Sequence, residues 1–345
     1  MNPKTRQEKI SVLLSTEPKF RIKQIQEALF KDGVKNWLDV SNLPLPLRTK
    51  LHEKIPFISV RENTLNISAD QSTFKALLSL EDDLEIETVL MRNSKGSFTI
   101  CVSSQVGCAM RCSFCATGTL GLKRNLTVDE IVDQYRFWKL YIEKNNLGSR
   151  ISNIVYMGMG EPLANYEAVK ESLNTILNKT DVGITKITVS TAGVIPRMEH
   201  ILNDPDWPHV RFAVSLHSAN PYVRNKLMPS SYEDFLPRLA SWGKQYLEAF
   251  GNRNHHLTFE YIMLNSINDS KKDALELIQY VKSIGDVKVN LIPYNFTDFL
   301  FMPSTEEVMD AFQQTLKNNG VTVTKRRSRG DDIAAACGQL AKKKC

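Results

Sequence analysis

Nowhere does this 345-residue chain carry a run of about 18 apolar residues, the length a membrane-crossing helix requires. Its amino-terminal stretch, MNPKTRQEKISVLLS, lacks the apolar core of a secretory signal. Both absences argue against export and membrane insertion, so a cytoplasmic protein with no membrane partner is expected. There is no internal repeat, and no low-complexity tract beyond the lysines at 342–344, which excludes tandem-repeat architectures. Nor is there an extreme of charge: 44 Lys and Arg face 38 Asp and Glu, a formal net charge of +6. That mild basic excess permits a polyanionic partner without requiring one. With 42% apolar and 24% charged residues, the composition supports a substantial core and argues against long disorder. The length suits two domains, or one large α/β domain with an extension.

Cysteine is present but unevenly spread. The six lie at 101, 108, 112, 115, 337 and 345, with none between 115 and 337. In a reducing compartment they need a reason other than a disulfide framework.

The first hundred residues differ in rhythm from the rest. Arg21-Ile-Lys-Gln-Ile-Gln-Glu-Ala-Leu-Phe30 spaces apolar residues three to four apart, and Gly33 follows as a stop. Leu43-Pro-Leu-Pro-Leu-Arg48 opens a second short helix that runs to about Lys54. Residues 74–80 and 85–91 read as strands. The pattern predicts a small helical accessory domain over 1–70, either a stability cap or an RNA-binding module, then linking strands over 71–96. From 97 onward strands alternate with helices. Strands are predicted at 98–102, 154–157, 187–190, 210–216, 257–263 and 287–292. Helices are predicted at 127–145, 164–178, 196–203, 232–250, 271–283 and 304–319. Thr127 with Glu130, and Ser304 with Glu307, read as capping boxes. Six βα units in series imply a parallel sheet with helices outside. The sheet can curl into a six-stranded partial barrel or stay open and doubly wound. In both forms ligands bind at the carboxyl ends of the strands.

Cys108-Ala-Met-Arg-Cys112-Ser-Phe-Cys115 follows the first of these strands. Three thiolates on one tight loop can hold three irons of a 4Fe–4S cluster and leave the fourth iron open to a substrate. A structural zinc site is the alternative. It wants four closed ligands, usually two spaced pairs, and no second pair is present. Gly158-Met-Gly160-Glu161-Pro162 ends the second strand, where glycine lets backbone approach a ligand and the carboxylate can accept from an ammonium group. Ser190, Ser215-Leu216-His217 and Asn295 sit at the ends of strands three, four and six, where capping or loop hydrogen bonds are the plainer roles. Cys337 lies between Ala336 and Gly338 after a basic segment, Lys325 to Arg329, a poor core environment and a good place for a reactive thiol near RNA.

The cysteine triplet after a first strand, followed by the Gly-Met-Gly-Glu-Pro turn, resembles the radical S-adenosylmethionine (SAM) superfamily. That resemblance implies a partial, TIM-like (βα)6 barrel in which the turn holding Gly160 and Glu161 binds the SAM amino group. Val102-Ser-Ser-Gln-Val-Gly-Cys108, Cys115-Ala-Thr-Gly118, Lys123-Arg-Asn-Leu126, Met157 to Leu163 and Ala336-Cys-Gly-Gln-Leu340 narrow it. Together they look like the RlmN/Cfr family of radical SAM RNA methyltransferases, over about Phe20 to Leu340.

The resemblance implies these roles. Cys108, Cys112 and Cys115 ligate the cluster. Gly160, Glu161, Ser190, Ser215, Leu216, His217 and Asn295 bind SAM, of which two are used per turnover. Cys337 accepts a methyl group from one SAM. A radical from the second takes a hydrogen from that methyl, and the resulting methylene adds to an adenine carbon. Cys101 then attacks the Cys337 sulfur and releases methylated RNA. Glu87, in Ile86-Glu-Thr-Val89, removes the proton. Cys345 has no counterpart. Family members commonly carry Asp where this chain has Ala334. Implied partners are 23S rRNA at the peptidyl transferase centre, tRNA near the anticodon, and an electron donor such as flavodoxin, with the enzyme a monomer. Gln105 to Gly107 and Gly160 to Pro162 lean toward the RlmN type, which methylates C2. The sibling reading is Cfr-type methylation of C8, which confers resistance to ribosome-directed antibiotics. A third reading, from another class, is a non-catalytic RNA-binding homologue, which would have no use for Cys337.

Overall fold

Three short helices open the chain in the computed structural model, which describes residues 3–15, 17–18, 20–251, 257–297, 301–326 and 329–340. They are α1 (Arg6–Leu13), α2 (Phe20–Ala28) and α3 (Leu45–Lys54). A reciprocal Thr5–Glu8 capping box starts α1. Ile10, Ile25, Ala28, Leu47 and Leu51 close around Trp37 as a small core of their own. The Trp37 indole N–H donates to the Ile55 carbonyl at 2.6 Å, and its ring meets Phe57 edge-on at 5.0 Å.

The strands then run in chain order. β1 (Arg61–Ile67), β2 (Thr73–Ser79), β3 (Glu85–Arg92) and β4 (Phe98–Cys101) pair antiparallel. β5 (Gln105–Gly107) and β6 (Leu122–Asn125) form a separate two-stranded ribbon that carries the cysteine loop and α4 (Ala116–Thr119) between them. After α5 (Val128–Lys144), the parallel series adds β7 (Ile151–Tyr156), α6 (Tyr166–Lys179), β8 (Ile187–Thr191), α7 (Ile195–Ile201) and β9 (Arg211–Ser215). Next come α8 (Pro221–Leu227), α9 (Phe235–Phe250), β10 (Leu257–Met263), α10 (Lys271–Ile284), β11 (Lys288–Pro293), α11 (Glu306–Asn318) and β12 (Val323–Lys325). The ten-stranded sheet has the order β1-β2-β3-β4-β7-β8-β9-β10-β11-β12. It curls. The Arg326 guanidinium, just past β12, lies 3.9 Å from the Met157 sulfur, just past β7. Strand ends that an open sheet would hold apart therefore meet, and the fold is the partial barrel rather than the doubly wound alternative.

All six expected parallel strands are present. The structure adds β12 as a seventh, too short to show a pattern in sequence. It also adds β1, within the stretch expected to be helical. β1 reads Arg-Glu-Asn-Thr-Leu-Asn-Ile and is largely exposed, so it carries no apolar alternation. At α5 the Thr127–Glu130 capping box forms. At α11 the cap is Thr305 rather than Ser304, because the Ser304 hydroxyl instead donates to Asp269 at 2.7 Å.

The helical module is fastened to the barrel through α5. Asp133 is buried and accepts from Arg6, from Arg136 at 2.6 Å and from the Ser59 amide at 2.7 Å. Arg136 also donates to the Leu29 and Phe57 carbonyls, each at 2.8 Å. A buried cluster of this kind holds two bodies in one register, because losing any member strands a charge. No described helix is long and apolar enough to cross a membrane.

Candidate active site

The cysteine loop is set by its neighbours. The Cys108 amide donates to the Gly121 carbonyl at 3.1 Å, the Cys115 amide to the Cys112 carbonyl at 3.1 Å, and the Ser113 amide to the Leu227 carbonyl at 2.9 Å. All three thiols face one cavity at the carboxyl ends of the strands. Burial pushes the Cys108 thiol up to about 12 and also raises Cys112 and Cys115; repulsion from the other loop cysteines adds to this at Cys108 and Cys112, and from Cys337 at Cys115. Such a set gains most from a positively charged iron group that takes all three as thiolates. A structural zinc site wants four closed ligands, and this loop offers three thiols. In a cubane each of three thiolates takes a different iron. The donor set fits the 4Fe–4S cluster.

The Gly-Met-Gly-Glu-Pro turn wraps under the same cavity. A Cβ on Gly158 would sit 2.7 Å from Val102 backbone, and one on Gly160 would sit 2.5 Å from Gln105, at a φ of +102°. Only glycine fits either position. Glu161 braces the walls. Its Oε1 accepts from the Leu163 amide at 2.9 Å and the Thr191 hydroxyl at 2.7 Å, and its Oε2 from the Ala192 amide at 2.6 Å. Ser190, Ser215 and His217 line the cavity. His217 Nδ1 accepts the Ile262 amide at 3.0 Å, so the ring proton sits on Nε2. Burial, with a smaller push from Arg224, holds this imidazole down to about 3. Leu216 departs from the ligand-lining set. Its side chain is in the barrel core, and its amide donates to the Glu260 carbonyl at 3.0 Å. Asn295 also lies outside the lining residues and donates to the Cys337 carbonyl at 3.2 Å.

Cys337 is exposed at the rim of this cavity. Its segment is pinned on every side. Ala116 donates to the Gly338 carbonyl at 2.8 Å, Thr117 to the Leu340 carbonyl at 2.9 Å, and Gln339 to the Phe296 carbonyl at 3.2 Å. Cys101, at the end of β4, is buried. Burial, then the nearby Cys337, pushes its thiol up to about 12. Glu87 shares a sheet face with it. Lys75, Val89 and Cys101 stand in one row across β2, β3 and β4, and Glu87 is two residues from Val89. Cys345 lies outside the described residues.

Three site residues escaped sequence reasoning. Lys75 is buried, pairs with Glu87 at 2.9 Å and donates to the Ala334 carbonyl at 3.1 Å, which ties β2 to the Cys337 segment. Glu260 lines the cavity and accepts from Arg326 at 3.4 Å and Asn290 at 2.9 Å. Arg326 is charged more firmly than usual because it lies by Cys337, Glu260 and Cys101. The available signal was a charged residue between apolar strand neighbours, as in Phe74-Lys75-Ala76 and Phe259-Glu260-Tyr261. The basic segment divides: Lys325 pairs with Glu306 at 2.6 Å on the outer surface, while Arg326 turns into the barrel.

A partial barrel whose first parallel strand leads into a three-cysteine loop, with a glycine turn beneath, defines a radical SAM protein. The superfamily's sequence profile matches residues 102–278. The chain belongs more narrowly to the RlmN family of radical SAM RNA methyltransferases. It is 40% identical over 327 residues to a probable dual-specificity RNA methyltransferase RlmN of Dictyoglomus turgidum, covering 94% of this chain and 91% of that protein. It is 37% identical over 330 residues to the dual-specificity RNA methyltransferase RlmN of Ruthia magnifica, covering 95% and 90%. A crystal structure of a radical SAM methyltransferase from Sphaerobacter thermophilus superposes with a TM-score of 0.88 at 35% identity, covering 98% of each chain.

Proposed function

We propose that this enzyme methylates carbon C2 of an adenine in 23S rRNA at the peptidyl transferase centre, and in tRNA near the anticodon, with Cys337 as methyl carrier. The observation that carries this reading is one exposed thiol, Cys337, pinned at the rim of a cavity lined by Cys108, Cys112 and Cys115, with buried Cys101 beside it. The relatives' dual specificity supports two kinds of RNA substrate. Cys108, Cys112 and Cys115 would hold the 4Fe–4S cluster, which supplies an electron for cleaving SAM when bound. An amidine carbon such as C2 is a poor nucleophile, so direct attack on a SAM methyl fails and a carrier is needed. The Cys337 sulfur takes the methyl, with the Arg326 guanidinium nearby, and presents it to the base. Glu87 accepts the C2 proton as the ring regains aromaticity. With the carried carbon bonded to both the Cys337 sulfur and C2, the Cys101 sulfur attacks that of Cys337, breaking the sulfur–carbon bond; the released carbon takes a proton to become the methyl group, and a Cys101–Cys337 disulfide is left. Two electrons from a reductant, flavodoxin-like or a thiol, restore both thiols. We assign RNA docking to the N-terminal module and expect a cytoplasmic monomer.

The test is anaerobic reconstitution with iron and sulfide, then SAM and an rRNA fragment, with nucleosides separated by mass spectrometry. 2-Methyladenosine is expected. An 8-methyl product would move the enzyme to the Cfr type, and no methyladenosine at all would sink the proposal.

A further inference from the structure

Arg224 is a full charge buried without a counter-charge among the described residues. It sits on α8, the helix packed against the cysteine loop. The Leu227 carbonyl at the end of α8 accepts the Ser113 amide at 2.9 Å. Leu227 and Met228 join Phe114 in an apolar cluster that Cys112 and Cys115 flank. Arg224 is only 1% exposed. Its Nη2 donates to the Ala192 carbonyl at 2.9 Å and the Ser215 carbonyl at 3.1 Å, and its Nη1 to the Ser231 hydroxyl. Its Nε has no hydrogen-bond partner, and the Phe235 ring lies 3.5 Å below the guanidinium. Among the described residues no carboxylate lies within ion-pair distance of it.

Every partner of this cation is neutral, and burial of an unpaired ion is strongly unfavourable. The protein therefore tolerates Arg224 only if some negative charge lies close by. The guanidinium does not line the cavity, so it is not placed to grip a ligand there. What it borders is the loop of three thiols. The guanidinium lies within electrostatic reach of Cys112. A cluster bound by three thiolates is negative and gains a further negative charge on reduction. The potential of such clusters is set by net charge, hydrogen bonds and exposure.

We propose that Arg224 is the built-in counter-charge of the iron–sulfur cluster, a buried guanidinium that stabilises the reduced cluster and so sets its reduction potential. It touches neither substrate nor iron and acts through the loop. The inference rests on the reading that Cys108, Cys112 and Cys115 hold the cluster.

The test uses the full chain, reconstituted anaerobically and without SAM, as wild type, Arg224→Met and Arg224→Lys. Iron content is measured first, then the cluster is titrated by EPR against solution potential. Arg224→Met, with full iron content, is expected to hold about tenfold less reduced cluster at a fixed potential, a shift of ~59 mV for one electron. Arg224→Lys keeps the charge and is expected to titrate near wild type. An unchanged potential in Arg224→Met, or an equal shift in Arg224→Lys, would overturn the proposal in favour of a purely structural role. Where the Met variant does not fold, Arg224→Gln replaces it with the same two outcomes. If the wild-type chain takes up no iron, the cluster reading itself fails, and this inference with it.

Discussion

The two cysteine sites of this enzyme are built in opposite ways. The loop from Cys108 to Cys115 is eight consecutive residues with thiols turned inward to one cavity, and it is held partly by its own backbone. Cys337 is an exposed thiol on a segment with little regular structure, held by side chains and backbone from β2, the end of β11 and α4. Holding a metal group calls for fixed, water-excluded donors, and a short loop provides them. On the proposed reading Cys337 carries a carbon unit to RNA, which calls for a sulfur that reaches outward and returns to the same place each cycle. Only contacts from remote parts of the chain can give an exposed thiol that precision.

The comparison breaks most visibly at the cysteines. Cys112→Ala is expected to abolish both iron retention and methylation. Cys337→Ala is expected to abolish methylation while iron content stays at the wild-type level. Loss of iron in Cys337→Ala would show that the sites are not separate. Next, Cys101→Ala is expected to trap a covalent protein–RNA adduct, visible as a shifted band on a denaturing gel. Free methylated RNA at normal yield would refute the resolving role.

Lys75 sharpens the contrast, since it is one of the remote contacts. Lys75→Met removes the buried ion pair with Glu87 and frees the Ala334 carbonyl. A loss of roughly 3–5 kcal/mol in urea unfolding is expected, much of it recovered in the Lys75→Met, Glu87→Gln double variant. Additive losses would mean that the pair is not coupled.

Over the first pH unit below 6.5, a smaller effect comes from His217, near the cysteine loop. Its folded pKa, about 3, lies below the ordinary value of 6.5. Below pH 6.5 the unfolded chain takes a proton that the folded site refuses. Stability is therefore intact above 6.5 and falls by up to about 1.4 kcal/mol per pH unit as pH drops toward 3. His217→Gln is expected to flatten this part of the pH–stability curve.

The smallest effect belongs to Ala334, whose φ of +52° is in the left-handed region that Asp and Asn adopt more readily than Ala. Ala334→Asp is expected to stabilise the fold slightly, by less than about 1 kcal/mol, seen as a small rise in melting temperature. A fall would show that the carboxylate repels a neighbour.

The barrel was largely legible from sequence. Each parallel strand buries its side chains and so reads as an apolar run, and each following helix carries a clear apolar stripe. The exceptions were β1, an exposed edge, and β12, too short to show a period. The cysteine loop was legible because its donors are separated by fixed short spacings. Lys75, Glu260, Arg326 and Arg224 were not, because their roles depend on partners far away in the chain.

By itself the sequence determined the βα series, the three-thiol loop and, through several motifs in order, the family. Those features depend on residues within one turn or one strand of each other, where chain connectivity imposes the geometry. Only the tertiary structure decided that the sheet closes far enough for Arg326 to meet Met157. It also decided that Cys101 lies beside Cys337, that Glu87 is paired with Lys75, and that Arg224 is buried with no acid in ion-pair reach among the described residues. Proximity between distant segments comes from the packing of the whole core, which no local spacing encodes.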